Sequence, residues 1–582
     1  MLEMPNRTQT SPYADLSVLA KALPEHELVN SFMAAPVLEP AARKLAEDLA
    51  LDLVGAARAP GGLGFMERLM ATFSLSRPEG RALMELAEAF LRVPDAATRD
   101  ALIADKITGE DWRSPPARGL VRAAALALGA VGFVLSPQAR GAVRRALRRL
   151  AQPVVRLGVW LGMRIMAQQF VLAPSITVAL RKGLKTPDVL YSFDMLGEAA
   201  RTEADAARYL QSYSAAIEAV GRTASQGDLN DNNGVSVKLS ALSCHYKTSK
   251  WPDLRRDLMP RLLQLAIQAR AANIPLTIDA EEAARLELSL GLVRGLMLAP
   301  ELAGWDGLGI VVQAYGLQAG AVIDTLGTLC AQTGRKISVR LVKGAYWDAE
   351  IKTAQEKGLK TFPVYTRKAH SDLAYLHHAR QLLERTQWFY PQFATHNAAT
   401  LAGVEVMAKA LGVQNFEVQR LHGMGVTLHK TYRARTGRKL RIYAPVGGHD
   451  DLLAYLVRRL LENGANASFL HKLSDPKTEL SALVQCPYAQ VTDMNRVSII
   501  RSGDNLFAPT RKNSLGWNLD NPAVLSELAK AWAPMPPRPD DTTIAEADLA
   551  IGALKKATAT WGAYNGSRRA DVLERIADAI EA

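Results

Sequence analysis

Apolar residues recur at three- and four-residue spacing through 15–33, 41–58, 63–75 and 79–92, with proline and glycine breaks between these segments. That period predicts helices, and residues 1–115 read as an all-helical arm and α domain. Residues 116–186 stay helical but turn basic: Arg140, Arg144, Arg145, Arg148 and Arg149 fall at helical spacing. Such a cluster reads as a solvated face or as a surface for an anionic membrane or nucleic acid. No aromatic residues interleave these arginines, which speaks against nucleic acid.

From about residue 187 the pattern changes. Short β-rich runs alternate with stretches long enough for a helix: YSFDML (191–196), VSVKLSAL (235–242), LTIDAE (276–281), GIVVQAY (309–315), ISVRLVKG (337–344), QFATHN (392–397), FEVQRL (416–421) and LRIYAPV (440–446). This alternation predicts an α/β fold, a (β/α)8 barrel over 187–475. A doubly wound sheet is the alternative, but the G-x-G-x-x-G that usually marks it is missing. Residues 476–541 read as a linker that closes on PMPPRPDD, a stiff spacer. Two helical patterns follow over 542–582. The second places Ser567 as an N-cap and carries a stripe of Val572, Ile576 and Ile580. The stripe runs to the end of the chain with nothing to cover it, so a further domain, truncated here, is expected.

Composition narrows the picture. The 582 residues allow about four domains at roughly 150 residues each. Apolar residues at 48% and charged residues at 22% exclude disorder, collagen and coiled coil. The net charge of +12 favours anionic company. Cys244, Cys330 and Cys486 are too few and too scattered for a disulfide framework or zinc knuckle, which points to a reducing compartment. The first residues lack the apolar core of a signal peptide. The longest apolar run, Ala123 to Leu135, is too short to cross about 30 Å of hydrocarbon.

In a (β/α)8 barrel the chemistry sits at the carboxyl ends of the strands. Read in order, those ends offer Glu198, Lys238, Asp279 with Glu281, Gln313 with Tyr315, Arg340 with Lys343 to Trp347, Thr395-His396-Asn397, Gln419 with His422, and Tyr443. Charged groups inside a barrel are costly unless paired, so this mouth expects a ligand charged at both ends and a polar cofactor. Arg458 and Arg459 are adjacent after the last strand, with Glu462 one turn on. Two guanidinium forks there can grip one carboxylate, although an ordinary surface helix also fits the pattern. Tyr346 and Tyr443 could wall a small ring. Lys238 and Asp279 are expected to pair, which argues against a Schiff-base lysine. His396 has no second histidine at ligand spacing and reads as a hydrogen-bonding residue, so no metal is expected.

The strings VSVKLSAL, DAEEAARLELSL, VVQAYG, RLVKGAYWDAEI, FATHNAATL, LHGMG and RIYAPVGGHDDLLAYLVRRLLENGANASF resemble the proline dehydrogenase domain of the bacterial bifunctional proline utilization A family. The last 40 residues look like the start of an aldehyde dehydrogenase domain, with Trp561 and SRRADVL as the distinctive features. The resemblance implies a barrel that binds FAD noncovalently and oxidises L-proline to Δ1-pyrroline-5-carboxylate, with electrons passing to membrane quinone. It implies that Arg458 and Arg459 hold the proline carboxylate. Lys238, Asp279, Tyr346, Leu421 and Tyr443 would shape the proline pocket, and Glu198 would pair with Arg458 as a gate. Arg340 would lie near the flavin N5. Asp279, Ala280, Gln313, Val342, Lys343, Gly344, Ala345, Tyr346, Trp347, Thr366, Lys368, Thr395, His396, Asn397, Gln419, Glu462, Ser468 and Phe469 would line the FAD.

Some family members open with a ribbon-helix-helix domain. The start of this chain shows no such pattern, so no DNA contact is expected. The expected setting is cytoplasmic, with peripheral membrane contact and room for a homo-oligomer. The aldehyde dehydrogenase activity of a full-length parent is not expected from these residues alone.

Overall fold

The computed structural model describes residues 23–62, 98, 171–448, 469–475, 477–492, 500–511, 513–531 and 542–581. Eight parallel strands close into one barrel: β1 (Leu190–Met195), β2 (Gly234–Val237), β3 (Leu276–Ile278), β4 (Leu308–Gln313), β5 (Ile337–Val342), β6 (Phe389–Ala394), β7 (Glu417–Leu421) and β8 (Lys439–Val446). Neighbours in sequence pair, and β8 returns to β1 with Tyr443 beside Ser192 and Pro445 beside Asp194. All eight predicted runs form strands. The second is shorter than its apolar pattern because the chain turns into a 3-10 helix at Leu239–Ala241.

Helices follow the strands, and local chemistry sets several of their ends. Thr202 and Asp205 form a capping box that starts the helix Glu203–Gly221. Gly334, at φ 65°, ends Ala319–Thr333 in the left-handed conformation that favours glycine. The apolar core lies between the barrel wall and the surrounding helices. Val235, Leu276, Ile337, Leu341 and Val418 are fully buried.

Two helices of the N-terminal segment, α1 (Glu25–Ala34) and α2 (Pro40–Arg58), are described. One face of α2 buries Ala46, Ala50, Leu53, Val54 and Ala57. Its small residues allow close approach to the barrel helix Ala398–Ala410, where Ala402 is also fully buried. Leu53 and Val54 each contribute about 1.5–3 kcal/mol by that burial. The predicted helices 63–75 and 79–92 and the arginines from Arg140 to Arg149 lie outside the described residues.

The chain divides into two compact units, Met1–Ser526 and Glu527–Ala582. The second contains the helices Ile544–Ala563 and Gly566–Glu581. Ser567 is not the cap predicted for the last helix. That helix begins one residue earlier, and the Asn565 side chain accepts from Arg568 N at 2.9 Å. Ile576 and Ile580 of its apolar stripe are exposed. No helix among the described residues is long and apolar enough to cross a membrane.

Candidate active site at the barrel mouth

Polar residues stand at alternate positions on several strands: Ser192 and Asp194, Ser236 and Lys238, Thr277 and Asp279, Ser338 and Arg340, Glu417 and Gln419, Arg441 and Tyr443. A strand points every second side chain to one face. Hydrogen bonds between strands that are not neighbours show that this face is the barrel interior.

The lowest layer is structural. Arg441 grips Glu417 with Nε at 2.8 Å and a second guanidinium nitrogen at 3.1 Å. Gln419 Nε2 donates to the same carboxylate at 2.7 Å. In the middle layer the Arg340 guanidinium reaches Ser236 Oγ at 3.1 Å, Ser192 Oγ at 3.0 Å and Asp279 Oδ1 at 3.0 Å. Its buried Nε has no hydrogen-bond partner.

The upper layer is built around Lys238. Its Nζ lies 2.6 Å from Asp194 Oδ2, 3.2 Å from Tyr443 Oη and 3.5 Å from Asp279 Oδ2. Tyr443 donates to Asp194 at 2.7 Å or to Asp279 at 2.6 Å. Lys238, Asp194, Asp279 and Arg340 are all buried, and two cations balance two carboxylates. Burial alone would lower the lysine pKa, but the surrounding Asp194, Tyr443 and Asp279 outweigh it and hold Lys238 above its ordinary value. Lys238 is therefore an ammonium and a poor nucleophile.

The expected pairing of Lys238 with Asp279 is present, at 3.5 Å, but it is not the shortest contact of the lysine. Asp194 is the closer partner, and sequence reading passed over it by placing the polar end of the first strand at Glu198. The alternation of Ser192 with Asp194 was the available signal. Strand β1 ends at Met195, and Glu198 follows it half-buried.

Beside this cluster the end of β5 runs half-buried through Val342, Lys343, Gly344, Ala345, Tyr346 and Trp347. Gly344 has φ 134°, and a Cβ there would meet the Tyr315 ring at 2.5 Å. Lys343 and Lys368 both bond the buried carboxylate of Asp372, a residue absent from the sequence-derived site. Desolvation pushes Lys343 down to about 8. Trp347 Nε1 donates to Tyr365 O at 2.8 Å. Thr366 donates through its N and Oγ1 to Glu25 of α1, at 3.0 and 2.8 Å.

After β6, Asn397 caps the helix Ala398–Ala410 by accepting from Thr400 N at 3.0 Å. Asn397 N in turn donates to Thr395 Oγ1 at 3.2 Å. His396 Nε2 accepts from Leu421 N at 3.1 Å, the hydrogen-bonding role read for it from the sequence. Gln313 Nε2 donates to Glu281 O at 2.9 Å. A cavity of about 810 Å³ reaches this rim and is lined by Asp279, Ala280, Glu281 and Gln313. Phe469 is half-buried against the core. Arg458, Arg459, Glu462 and Ser468 lie outside the described residues.

A closed parallel barrel with a buried, charge-balanced cluster at its carboxyl rim defines an enzyme-type (β/α)8 barrel. The proline dehydrogenase family model matches residues 179–472, and the chain belongs to that family of oxidoreductases. A second model, described as the DNA-binding domain of proline dehydrogenase, matches residues 65–170. That match runs against the expectation of no DNA contact, which rested on the missing ribbon-helix-helix pattern and on the lack of aromatic residues among the arginines.

Among curated proteins, the bifunctional protein PutA of Salmonella typhimurium is 43% identical over 535 residues, covering 87% of this chain and 40% of the relative. PutA of Rhizobium meliloti is 43% identical over 549 residues, covering 90% of this chain and 44% of the relative. The chain thus spans less than half the length of these relatives. A crystal structure of a Bradyrhizobium japonicum proline utilization A mutant superposes with a TM-score of 0.72 at 41% identity, covering 93% of this chain and 56% of that one. Another bifunctional proline utilization A structure gives 0.73 at 41% identity, with the same coverage.

Proposed function

We propose that this chain oxidises L-proline to Δ1-pyrroline-5-carboxylate on a bound FAD, with electrons passed on to a membrane quinone. The observation that carries this reading is the Lys238–Asp194–Asp279–Tyr443 cluster over Arg340, at the catalytic rim of a proline dehydrogenase family barrel. When bound, FAD would supply the two-electron acceptor, taking hydride from proline C5 at its N5. The residues present fit such a group. Lys343 and Lys368 leave one net positive charge around Asp372, suited to a diphosphate. The Asn397-capped helix end adds a favourable dipole. Arg340, with an unsatisfied Nε, fits beside the flavin ring.

The chain's own groups do the positioning. Tyr443 and the Lys238 ammonium, fixed by two carboxylates, wall the pocket together with Tyr346 and Leu421. Arg458 and Arg459 hold the substrate carboxylate, and Glu198 closes on Arg458. Rigid placement of this kind removes much of the entropic barrier. The reading includes a cytoplasmic setting with peripheral membrane contact, and the barrel domain at 187–475 between the regions 1–115, 116–186, 476–541 and 542–582.

The test is a visible absorption spectrum taken before and after proline is added. A yellow protein that bleaches with proline supports the reading. A colourless protein that FAD cannot reconstitute overturns it.

One observation favours a second activity beside this one. The match over residues 65–170 includes Arg140, Arg144, Arg145, Arg148 and Arg149. We propose DNA contact through that segment, tested by gel shift across a salt series. A steep loss of binding with salt supports it, and no shift at low salt removes it.

A further inference from the structure

The helix Val426–Thr436 is polar along most of its length, and its buried residues are Leu428, His429 and Tyr432. The histidine is fully withdrawn from water. Burying an imidazole costs free energy unless its nitrogens find partners. His429 Nε2 lies 2.9 Å from Thr395 O. A carbonyl oxygen only accepts, so Nε2 carries the proton and donates. Burial, with Arg420 adding to it, pushes His429 down to about 3, so the ring is neutral. Its Nδ1 is buried and has no hydrogen-bond partner among the described residues. The ring thus commits one nitrogen to Thr395 and leaves the other unsatisfied. A leucine would fill the same place without that cost, so packing alone does not account for the residue.

Thr395 opens the turn Thr395-His396-Asn397 at the carboxyl end of β6. Thr395 N donates to Gln419 O of β7 at 3.3 Å, and His396 Nε2 accepts from Leu421 N, the last residue of β7. Asn397 N donates to Thr395 Oγ1, and the Asn397 side chain caps the following helix. One side of the turn is therefore tied to β7 and another to its own helix. His429 supplies a third tie, from a helix that the other two do not involve. The His396 and His429 rings meet edge to face with centroids 6.1 Å apart. A Cβ on Gly425 would come within 3.0 Å of His396 Cδ2 and 3.4 Å of His429 Cδ2, so the chain entering the helix closes on both rings.

We propose that His429 is a positioning residue for the cofactor site, its Nε2–H holding Thr395 O and so fixing the turn Thr395-His396-Asn397 against which FAD binds. The proposal rests on the reading of that turn as cofactor-lining given above. His429 acts through Thr395 and not on the cofactor itself. A turn that is already fixed loses little freedom when the cofactor binds, and a loosened turn binds it less tightly.

The experiment uses the full chain with FAD bound and compares His429→Asn, His429→Gln, Tyr432→Phe and Asn397→Ala. Glutamine can place an amide N–H where Nε2 stands, and asparagine is too short to do so. Tyr432→Phe breaks a buried bond on the same helix, Tyr432 Oη to Glu405 Oε2 at 2.8 Å, without touching Thr395. His429→Asn is expected to release FAD roughly tenfold faster on dilution, read by flavin fluorescence, and His429→Gln to stay within about threefold of the parent. Amide exchange should quicken in peptides covering 393–401 in His429→Asn while the barrel strands stay protected. Tyr432→Phe should melt earlier and release FAD at the parent rate. A parent-like FAD release or an unchanged exchange in His429→Asn overturns the proposal, provided Asn397→Ala has quickened release. So does Tyr432→Phe releasing FAD as fast as His429→Asn, or glutamine failing to rescue, since either outcome makes His429 a general structural residue. If Asn397→Ala also releases FAD at the parent rate, the cofactor reading of the turn has failed and the proposal falls with it.

Discussion

Lys238 and Asp194 form a closed pair inside the barrel, Nζ to Oδ2 at 2.6 Å, with both side chains withdrawn from water. Asp194 lies on β1 and Lys238 just past the end of the neighbouring β2, and Tyr443 of β8 bonds to both. A buried pair of this kind is held by its neighbours, and removing one partner strands the other charge.

The first prediction concerns that pair. Asp194→Asn removes one of the two carboxylates that neutralise Lys238 and Arg340. The expected cost is about 3 kcal/mol of stability, the lower end for breaking a buried pair. Chemical denaturation measures it, and proline-dependent flavin reduction should slow in the same variant. A variant as stable as the parent would show that Asp279 alone satisfies Lys238.

The second concerns Arg458 and Arg459. Replacing either by Met should raise the proline KM and leave FAD bound, since each removes a charged contact worth about 1.5–3 kcal/mol. Steady-state kinetics combined with the flavin spectrum separates the two effects. Parent-like KM values in both variants would refute their assignment to the substrate carboxylate.

The third concerns pH. Burial lowers Lys343 to about 8 from its ordinary 10.5. Its penalty on the apo fold is therefore complete below about pH 8 and is relieved as pH rises toward 10.5, because over that window the unfolded chain holds the extra proton. Binding of an anionic cofactor has the opposite sign, since it needs the ammonium. FAD affinity of the apo chain should weaken as pH rises past about 8, and Lys343→Gln should flatten that dependence. Fluorescence titration at several pH values measures it, and equal slopes in parent and variant would dissociate Lys343 from the cofactor.

The fourth concerns Gly344. Any side chain there meets both an unfavourable φ of 134° and the Tyr315 ring. Gly344→Ala is expected to cost about 1–3 kcal/mol and to displace the neighbouring Lys343 and Tyr346. Thermal melting and flavin retention read the two effects. An unaltered melting temperature would mean that Tyr315 moves aside freely.

Much of the architecture was legible in the residue pattern because strand and helix periods are local properties. Each of the eight β-rich runs carries its own β-branched and aromatic residues, and the stretches between them are long enough for a helix, so no distant contact is needed to recognise a parallel barrel. Position at the carboxyl ends of these runs marked Lys238, Asp279, Arg340 and Tyr443 as candidates for the barrel mouth. It would also have marked Asp194, had the first polar strand end been taken at Ser192–Asp194 rather than at Glu198.

Pairing was decided only in three dimensions. Closure brings β8 beside β1, which places Tyr443 against Asp194 across 249 positions of sequence. In the closed barrel Lys238 Nζ lies 2.6 Å from Asp194 and 3.5 Å from Asp279, an order that the sequence does not show. Asp372 meets Lys368 one turn away on its own helix, but it joins Lys343 only because that helix is laid beside the end of β5. Arg58 reads in the sequence as an ordinary helix-end arginine, and its four carbonyl partners lie more than 400 residues away. Period is written within a few residues, whereas the neighbours of a charge depend on how the whole chain closes on itself.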